Sequence, residues 1–365
     1  MSDVAENEVF IAITDLGIFF LMLQAGLEMQ PRELAESSKS ALLVAIGGML
    51  LPLVAGLGLG YIFLPHSDYF TAQVLFIGTA LAITAIPVPV KVLMELNQLA
   101  SRFGRMIVSS AIFDDILSLI LLAVLTALIR TGQFPGTEAL LSLGGGIFLF
   151  FAITIGIGLF LLPRMKNLFK VSLTEEFEFS VLLVVAFGFA VFVEVLHLHF
   201  ILGAFTAGLF FTRRMLDKKI FAGVKNRVSG ITTGFLAPIF FASIGMRLDL
   251  SAISTIPLFL FLLILAAVLG KMLGAGLPAY WVTRSWHEAS LVGFGMNARG
   301  AVELIIADIA LRQGLFLHPD PAPVIVSSLF SAVVIMAVLT TLITPIGLRW
   351  MLSGSASTHG HDENR

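Results

Sequence analysis

Two adjacent carboxylates, Asp114 and Asp115, stand in the apolar run AIFDDILSLILLAV, and they are the only charged residues between Arg105 and Arg130. An ionised carboxylate in such a run is costly and belongs against a wet cavity or a partner cation. Adjacent helical residues point about 100° apart. One aspartate can therefore face an aqueous funnel while the other faces a neighbouring helix. The candidate partner is Lys271, alone at mid-depth in AAVLGKMLGAGLPA. A carboxylate in a cavity binds a proton or a hard monovalent cation, but not both at once, so the set suits exchange. Hydroxyls and backbone carbonyls complete oxygen coordination of such a cation, and Thr84, just before a proline-broken turn, is the best-placed hydroxyl. The plainer alternative is that the Asp–Lys set only ties helices together. One acid is enough for that, and packing does not call for a doublet.

Two interruptions of apolar runs accompany these groups. In AITAIPVPVKVL, Pro87 and Pro89 lack N–H groups, so the carbonyls of Ile83 and Ala85 lose their helical partners. In GFGMNARGAVEL, the residues Asn297, Arg299 and Gly300 interrupt the run. Broken backbone at membrane depth is tolerated only where it lines a cavity or meets a partner. Arg299 and Glu303 are spaced for local pairing across the second break, and Arg299 can also cap helix ends, so both are read as structural. Asp308 and Glu194 read as interfacial or inter-helix groups, Glu28 as an interfacial anchor, and His197 and His199 as solvated turn residues. The absence of a Walker motif gives no support to ATP-driven transport.

The elements that must hold these groups are membrane spans. Hydrophobic residues make up 58% and charged residues 13% of the chain, and the mean hydropathy is +0.98. A soluble domain carries about 25% charged residues. The pattern predicts an all-α polytopic membrane protein, with spans at 9–28, 41–64, 72–95, 105–130, 139–162, 178–197, 199–212, 231–247, 255–281, 286–311 and 322–351. With no cysteine, disulfides and thiolate metal sites are excluded. Numbering the loops alternately puts fifteen Lys and Arg on one side and three, Arg130, Arg247 and Arg312, on the other. By the positive-inside rule the first side is cytoplasmic, the N-terminus (1–8) is outside and the C-terminus is inside. The tail from 352 to 365 is polar and expected to be disordered.

The chain also repeats itself. IVSS at 107–110 recurs at 325–328, and AVLTALI at 123–129 recurs as AVLTTLI at 337–343. The third span runs outside to inside and the tenth inside to outside, which is an inverted repeat, with core repeats at 41–130 and 255–351. Each repeat holds one interrupted helix, the usual build of secondary transporters.

These stretches resemble the second family of monovalent cation:proton antiporters, the Kef-type and Nap-type exchangers. The matching segments are FLMLQAGLEMQPREL, ITAIPVPVKVLMELNQLASRFGR, SSAIFDDILSLILLA, FLAPIFFASIGMRLDL, GKMLGAGLPA and GFGMNARGAVELIIA, in the family's order. The resemblance implies an inverted-repeat antiporter fold with crossed broken helices, a dimerisation domain (hence a homodimer) and elevator-like movement. It implies Asp115 as the main ion and proton carboxylate, Asp114 as the partner of Lys271, and Thr84 at the helix crossing. An aspartate doublet with the lysine is typical of electrogenic sodium/proton exchange in that family, whereas potassium systems usually have Gln first, so Na⁺ is favoured over Li⁺ or K⁺. No cofactor beyond the transported ions is implied, no nucleic acid, and a bacterial inner membrane is the expected location. Two departures stand out. Relatives usually carry two more helices before the span that contains FLMLQAGLEM, and here that span is preceded only by a short polar start, so the first two helices are expected to be lacking. Pro89 stands where a second threonine is often found.

Other functions fit less well. A Kef-like K⁺/H⁺ antiporter keeps the same machinery. A sodium-coupled organic-anion symporter shares the inverted repeats but is not expected to place an Asp doublet opposite a buried lysine. An intramembrane aspartyl protease needs two carboxylates facing each other from separate helices, and no GxGD occurs. The chain is therefore read as a secondary transporter, not an enzyme.

Overall fold

The structure, a computed structural model, describes residues 7–28, 39–84, 87–99, 101–131, 137–156, 175–196, 199–211 and 218–359. Helix occurs within each of the eleven expected stretches, with non-helical residues that include 83–84, 296–300 and 322–323. Among the described residues, seven helices are long and apolar enough to cross a membrane, and Phe70–Ala82, Gly144–Thr154 and Phe200–Phe210 are shorter apolar helices. Many of their large side chains, such as Val54, Val184, Phe261 and Ile346, are exposed. That outward apolar surface is what a bilayer solvates, and the helices satisfy their backbone groups internally, as a span must.

The chain divides into two compact units, residues 1–35 with 135–248 and residues 36–134 with 249–365. The first contains α1 (Glu8–Glu28), α6 (Thr137–Gly156), α7 (Glu175–Val195), α8 (Phe200–Phe210), α9 (Lys218–Ile231) and α10 (Ala237–Arg247). Helices α1 and α8 touch through glycine. A Cβ on Gly26 would run into the carbonyl oxygen of Phe205, and one on Gly208 into that of Leu23. Phe19 of α1 stacks on Phe187 of α7, with centroids 4.4 Å apart. A π-helical turn, Thr232–Leu236, joins α9 to α10. The helix thus begins at Lys218, well before the predicted span at 231. Basic residues such as Lys225 and Arg227, read from sequence as loop, lie on it, with apolar Phe221, Val224 and Val228 on its buried side.

The second unit holds α2 (Lys39–Phe63), α3 (Phe70–Ala82), α4 (Pro87–Glu95), α5 (Arg102–Thr131), α11 (Pro257–Thr283), α12 (Trp286–Gly295), α13 (Ala301–Arg312) and α14 (Leu329–His359). Its spine is α2 against α11. A Cβ on Gly270 would stand 2.9 Å from Pro52 Cα, and Gly47 and Gly274 face each other's backbone. Small residues let helix backbones approach closely where lipid gives no hydrophobic drive to associate. The predicted third and tenth spans are each split, into α3/α4 and α12/α13. At the far end, α14 runs on to His359, into the stretch expected from its polarity to be disordered from 352. Four-residue helical turns also form at Ala252–Thr255 and Val324–Ser327.

Candidate functional site

The two breaks meet. Helix α3 stops at Ala82, and Ile83 turns extended (φ −74°, ψ 146°). Pro87 supplies no N–H, so the Ile83 carbonyl has no helical partner. Arg299, in the other break, fills that role. Its Nη1 donates to the carbonyl of Ala80 at 2.8 Å and also to that of Ile83. Arg299 is fully buried, and its own carbonyl lies 2.9 Å from Thr341 Oγ1, which shares its one proton between that carbonyl and the nearer Ala337 carbonyl at 2.6 Å. Helix α3 thus ends on a fixed positive charge, which suits the partial negative charge of a helix C-terminus.

Across the second break, α12 ends at Gly295 and α13 restarts at Ala301 after an extended Gly300 (φ −161°). Glu303 sits in the first turn of α13, where the free N–H groups and the helix dipole favour an acid. Its Oε2 is 3.9 Å from Arg299 Nε, an ion pair too long for a hydrogen bond, and both side chains are sealed from solvent. Asn297 is also fully buried, and both polar atoms of its carboxamide lack a hydrogen-bond partner. Pro89 lies in α4; the backbone of Pro87 opens that helix, while Ala85 and Ile86 fall outside the described residues.

Lys271 and Asp114 form a sealed pair. Lys271 Nζ donates to Asp114 Oδ1 at 3.2 Å and to Oδ2 at 3.4 Å, and both side chains are 0% exposed. Asp115, one residue on, remains partly exposed. The doublet therefore splits: Asp114 is closed onto a cation, while the Asp115 residue keeps part of its surface exposed. Thr84 is buried beside Ile83, and its Oγ1 has no hydrogen-bond partner. The oxygens of Thr84 and Asn297, the Glu303 carboxylate and the partly exposed Asp115 are among the groups with coordination capacity left. Among the described residues no cluster of three or more His, Cys, Asp or Glu is placed to hold a resident metal ion.

The remaining sequence candidates sit apart from this centre. Asp308 pairs with Arg312 on its own helix at 2.6 Å. Glu28 is exposed and accepts from Gln24 Nε2 at 3.1 Å, and Glu194 is exposed. His197 lies outside the described residues, and His199 precedes α8. Sequence reasoning passed over Thr341, whose hydroxyl holds the second break, and Gln73, whose buried amide donates to the carbonyls of Leu315 (2.9 Å) and His318 (2.6 Å). It also passed over Ser110 and Ser118, one turn either side of Asp114 on α5 and both fully buried. Their four-residue spacing from Asp114 was the available signal.

Two broken helices tied by a buried arginine, beside a buried Asp–Lys pair in a bundle of membrane-length helices, define an inverted-repeat secondary transporter. Residues 3–354 match the family model for the sodium/hydrogen exchanger transmembrane domain, and the chain belongs to that family. It is 31% identical to the Na⁺/H⁺-K⁺ antiporter GerN of Bacillus cereus, over 95% of this chain and 84% of that protein. It is 30% identical to the high-affinity Na⁺/H⁺ antiporter NhaS3 of a Synechocystis strain, over 96% of this chain and 73% of that protein. The fold is similar to that of the sodium proton antiporter MjNhaP1 from Methanocaldococcus jannaschii, with a TM-score of 0.68 and 19% identity, covering 95% of this chain and 87% of that one.

Proposed function

We propose that the protein is a secondary active antiporter that exchanges a monovalent cation, Na⁺ before Li⁺ or K⁺, for protons, with competition at Asp115. The observation that carries this reading is the divided doublet: Asp114 is closed onto Lys271 at 3.2 Å while its neighbour Asp115 is not fully buried and makes no such pair among the described residues. A carboxylate at mid-depth can hold a proton or a cation in turn. Family membership and the names of the relatives support sodium/proton exchange. The name of GerN, which includes K⁺, keeps potassium as a second transported ion.

The cycle runs as follows. Facing the cytoplasm, Asp115 gives up its proton and takes the cation, with Thr84 Oγ1 adding an oxygen. Asp114 turns toward the cation, its bond to Lys271 opens, and the freed ammonium releases a second proton. The site then opens to the outside, the cation leaves, and both protons return. Two protons per cation move net charge; one proton per cation, with Lys271 charged throughout, does not.

The orientation we propose puts the N-terminus outside and the C-terminus in the cytoplasm of a bacterial inner membrane. Support comes from one end of the second unit, where exposed Trp281, Trp286 and Trp350 lie near Arg102, Arg284 and Arg349. An aromatic belt with basic residues marks a cytoplasmic interface. We further propose a homodimer.

The test is cation-driven proton movement in proteoliposomes, followed by lumenal pH on adding Na⁺, Li⁺ or K⁺. A signal lost in Asp115→Asn establishes exchange and names the cation. Normal exchange in that variant overturns the reading.

A further inference from the structure

Buried hydroxyls in this protein fall into two sets. Thr126, Thr340 and Thr344 each donate to the carbonyl four residues back, at 2.9, 2.9 and 2.8 Å. That is how a hydroxyl in a helix normally disposes of its proton away from water. Ser110 and Ser118 do not, and neither do Thr79 and Thr84 at the first helix break. The two serines are buried on α5 at 0% and 1% exposure, and neither Oγ has a hydrogen-bond partner.

Their places are not scattered. Ser110, Asp114 and Ser118 are spaced by four, so they lie on one face of α5, one turn apart. The stripe spans about 12 Å of the helix axis. It is continuous with the Asp114–Lys271 pair and sealed, whereas Asp115 lies to the side of it and is partly exposed.

We propose that this stripe holds a file of ordered water that carries protons to and from the Asp114–Lys271 pair, on a face of α5 other than the one that carries Asp115. This rests on the exchanger reading for its role, but not for the presence of water.

The chemistry selects water as the occupant. A hydroxyl both donates and accepts, and a water in a polar site typically makes about three hydrogen bonds. Side chains four apart have Cβ atoms about 5–6 Å apart, a gap that one water bridges. A second cation is disfavoured, because Lys271 already sets a positive charge against Asp114. In transfer, a proton added to the water at one end displaces a proton along each hydrogen bond in turn. Each hydroxyl accepts one proton and passes on another, and the last proton is taken up by the pair. No atom is consumed, and the hydroxyls finish with reversed donor directions.

Two measurements test this. Radiolytic hydroxyl labelling of the native protein in lipid nanodiscs, read by mass spectrometry, reports bound water beside buried side chains whether or not transport is seen. Residue-level labelling at the buried Ile107 and Ile112 of α5 above that at the equally buried Val333 and Val334 is expected; labelling no higher overturns the proposal. The second is exchange by Ser110→Ala/Ser118→Ala, with Thr126→Val as the control. The maximal rate is expected to fall about tenfold, in line with loss of a proton-transfer group, with the half-saturating Na⁺ concentration unchanged. The solvent deuterium effect is expected to grow, because proton delivery now limits turnover. A raised half-saturating Na⁺ at full turnover makes the serines cation ligands and overturns the proposal, as does an unchanged rate. If the native protein exchanges no cation, the functional reading fails, and the labelling alone decides the water file.

Discussion

Lys271 Nζ stands 3.2 Å from Asp114 Oδ1 with both side chains closed off from solvent. Each charge is bearable there only because of the other. Lys271→Met leaves a buried, unpaired carboxylate, and the expected cost is about 3–5 kcal/mol of stability. The double variant Asp114→Asn/Lys271→Met removes both charges and is expected to recover most of that loss. Thermal unfolding in detergent reads the difference; a double variant as unstable as the single one breaks the argument.

Asp115 carries a different weight. It is partly exposed, so neutralising it costs little in folding. Asp115→Asn is expected to unfold within about 0.5 kcal/mol of the native protein while abolishing cation-dependent proton movement. The pairing of normal melting with absent exchange separates a transport role from a structural one.

Arg299 joins the two helix breaks through the carbonyls of Ala80 and Ile83. Hydrogen bonds to a charged donor are worth about 1.5–3 kcal/mol each, so Arg299→Ala is expected to destabilise by about 3 kcal/mol or more. Arg299→Lys keeps the charge but places its nitrogen differently from Nη1, and should recover only part. Thr341→Val, which removes the hydroxyl holding the Arg299 carbonyl, should cost about 1 kcal/mol. Hydrogen exchange at residues 80–84 is the sensitive readout.

The glycines divide into two kinds. Gly274 of α11 faces the backbone of Gly47, whereas Gly58 of α2 and Gly188 of α7 have nothing within 4 Å of a built Cβ. Gly274→Leu should prevent α2 and α11 from closing and abolish folded protein. Gly58→Ala and Gly188→Ala should raise stability by up to about 1 kcal/mol each through helix propensity. Folded yield and melting temperature together check both directions.

The buried core of charges was legible because charge in an apolar run is rare and needs a partner. Lys271 and the doublet name one another, and the breaks announce themselves through Pro87, Pro89 and the Asn297–Gly300 interruption. The target of Arg299 was not legible. Its acceptors, Ala80 and Ile83, are backbone atoms far away in sequence, and a carbonyl leaves no residue type to read. Helix limits failed where polarity and helicity part company. Lys218–Ile231 is basic enough to look like a loop and yet forms helix by burying one apolar side, and the last helix keeps its hydrogen bonds past the end of its apolar run. The polar stripe along α5 was written in the spacing of Ser110, Asp114 and Ser118, but serine is common enough in helices that only its missing partners single it out.

The π turn at Thr232–Leu236 solves a problem of phase. The residues Val228, Thr232, Leu236, Phe240 and Ile244 are all buried, each four positions after the last. In an unbroken α-helix a four-residue stripe drifts steadily around the axis, by about 40° per step. The wider turn rotates less per residue and winds part of that drift back. The stripe therefore keeps facing α1, where Leu236 and Phe240 meet Gly17 and Thr232 reaches toward Phe20. One added residue in the turn keeps two straight helices in step over a length at which they would otherwise fall out of register.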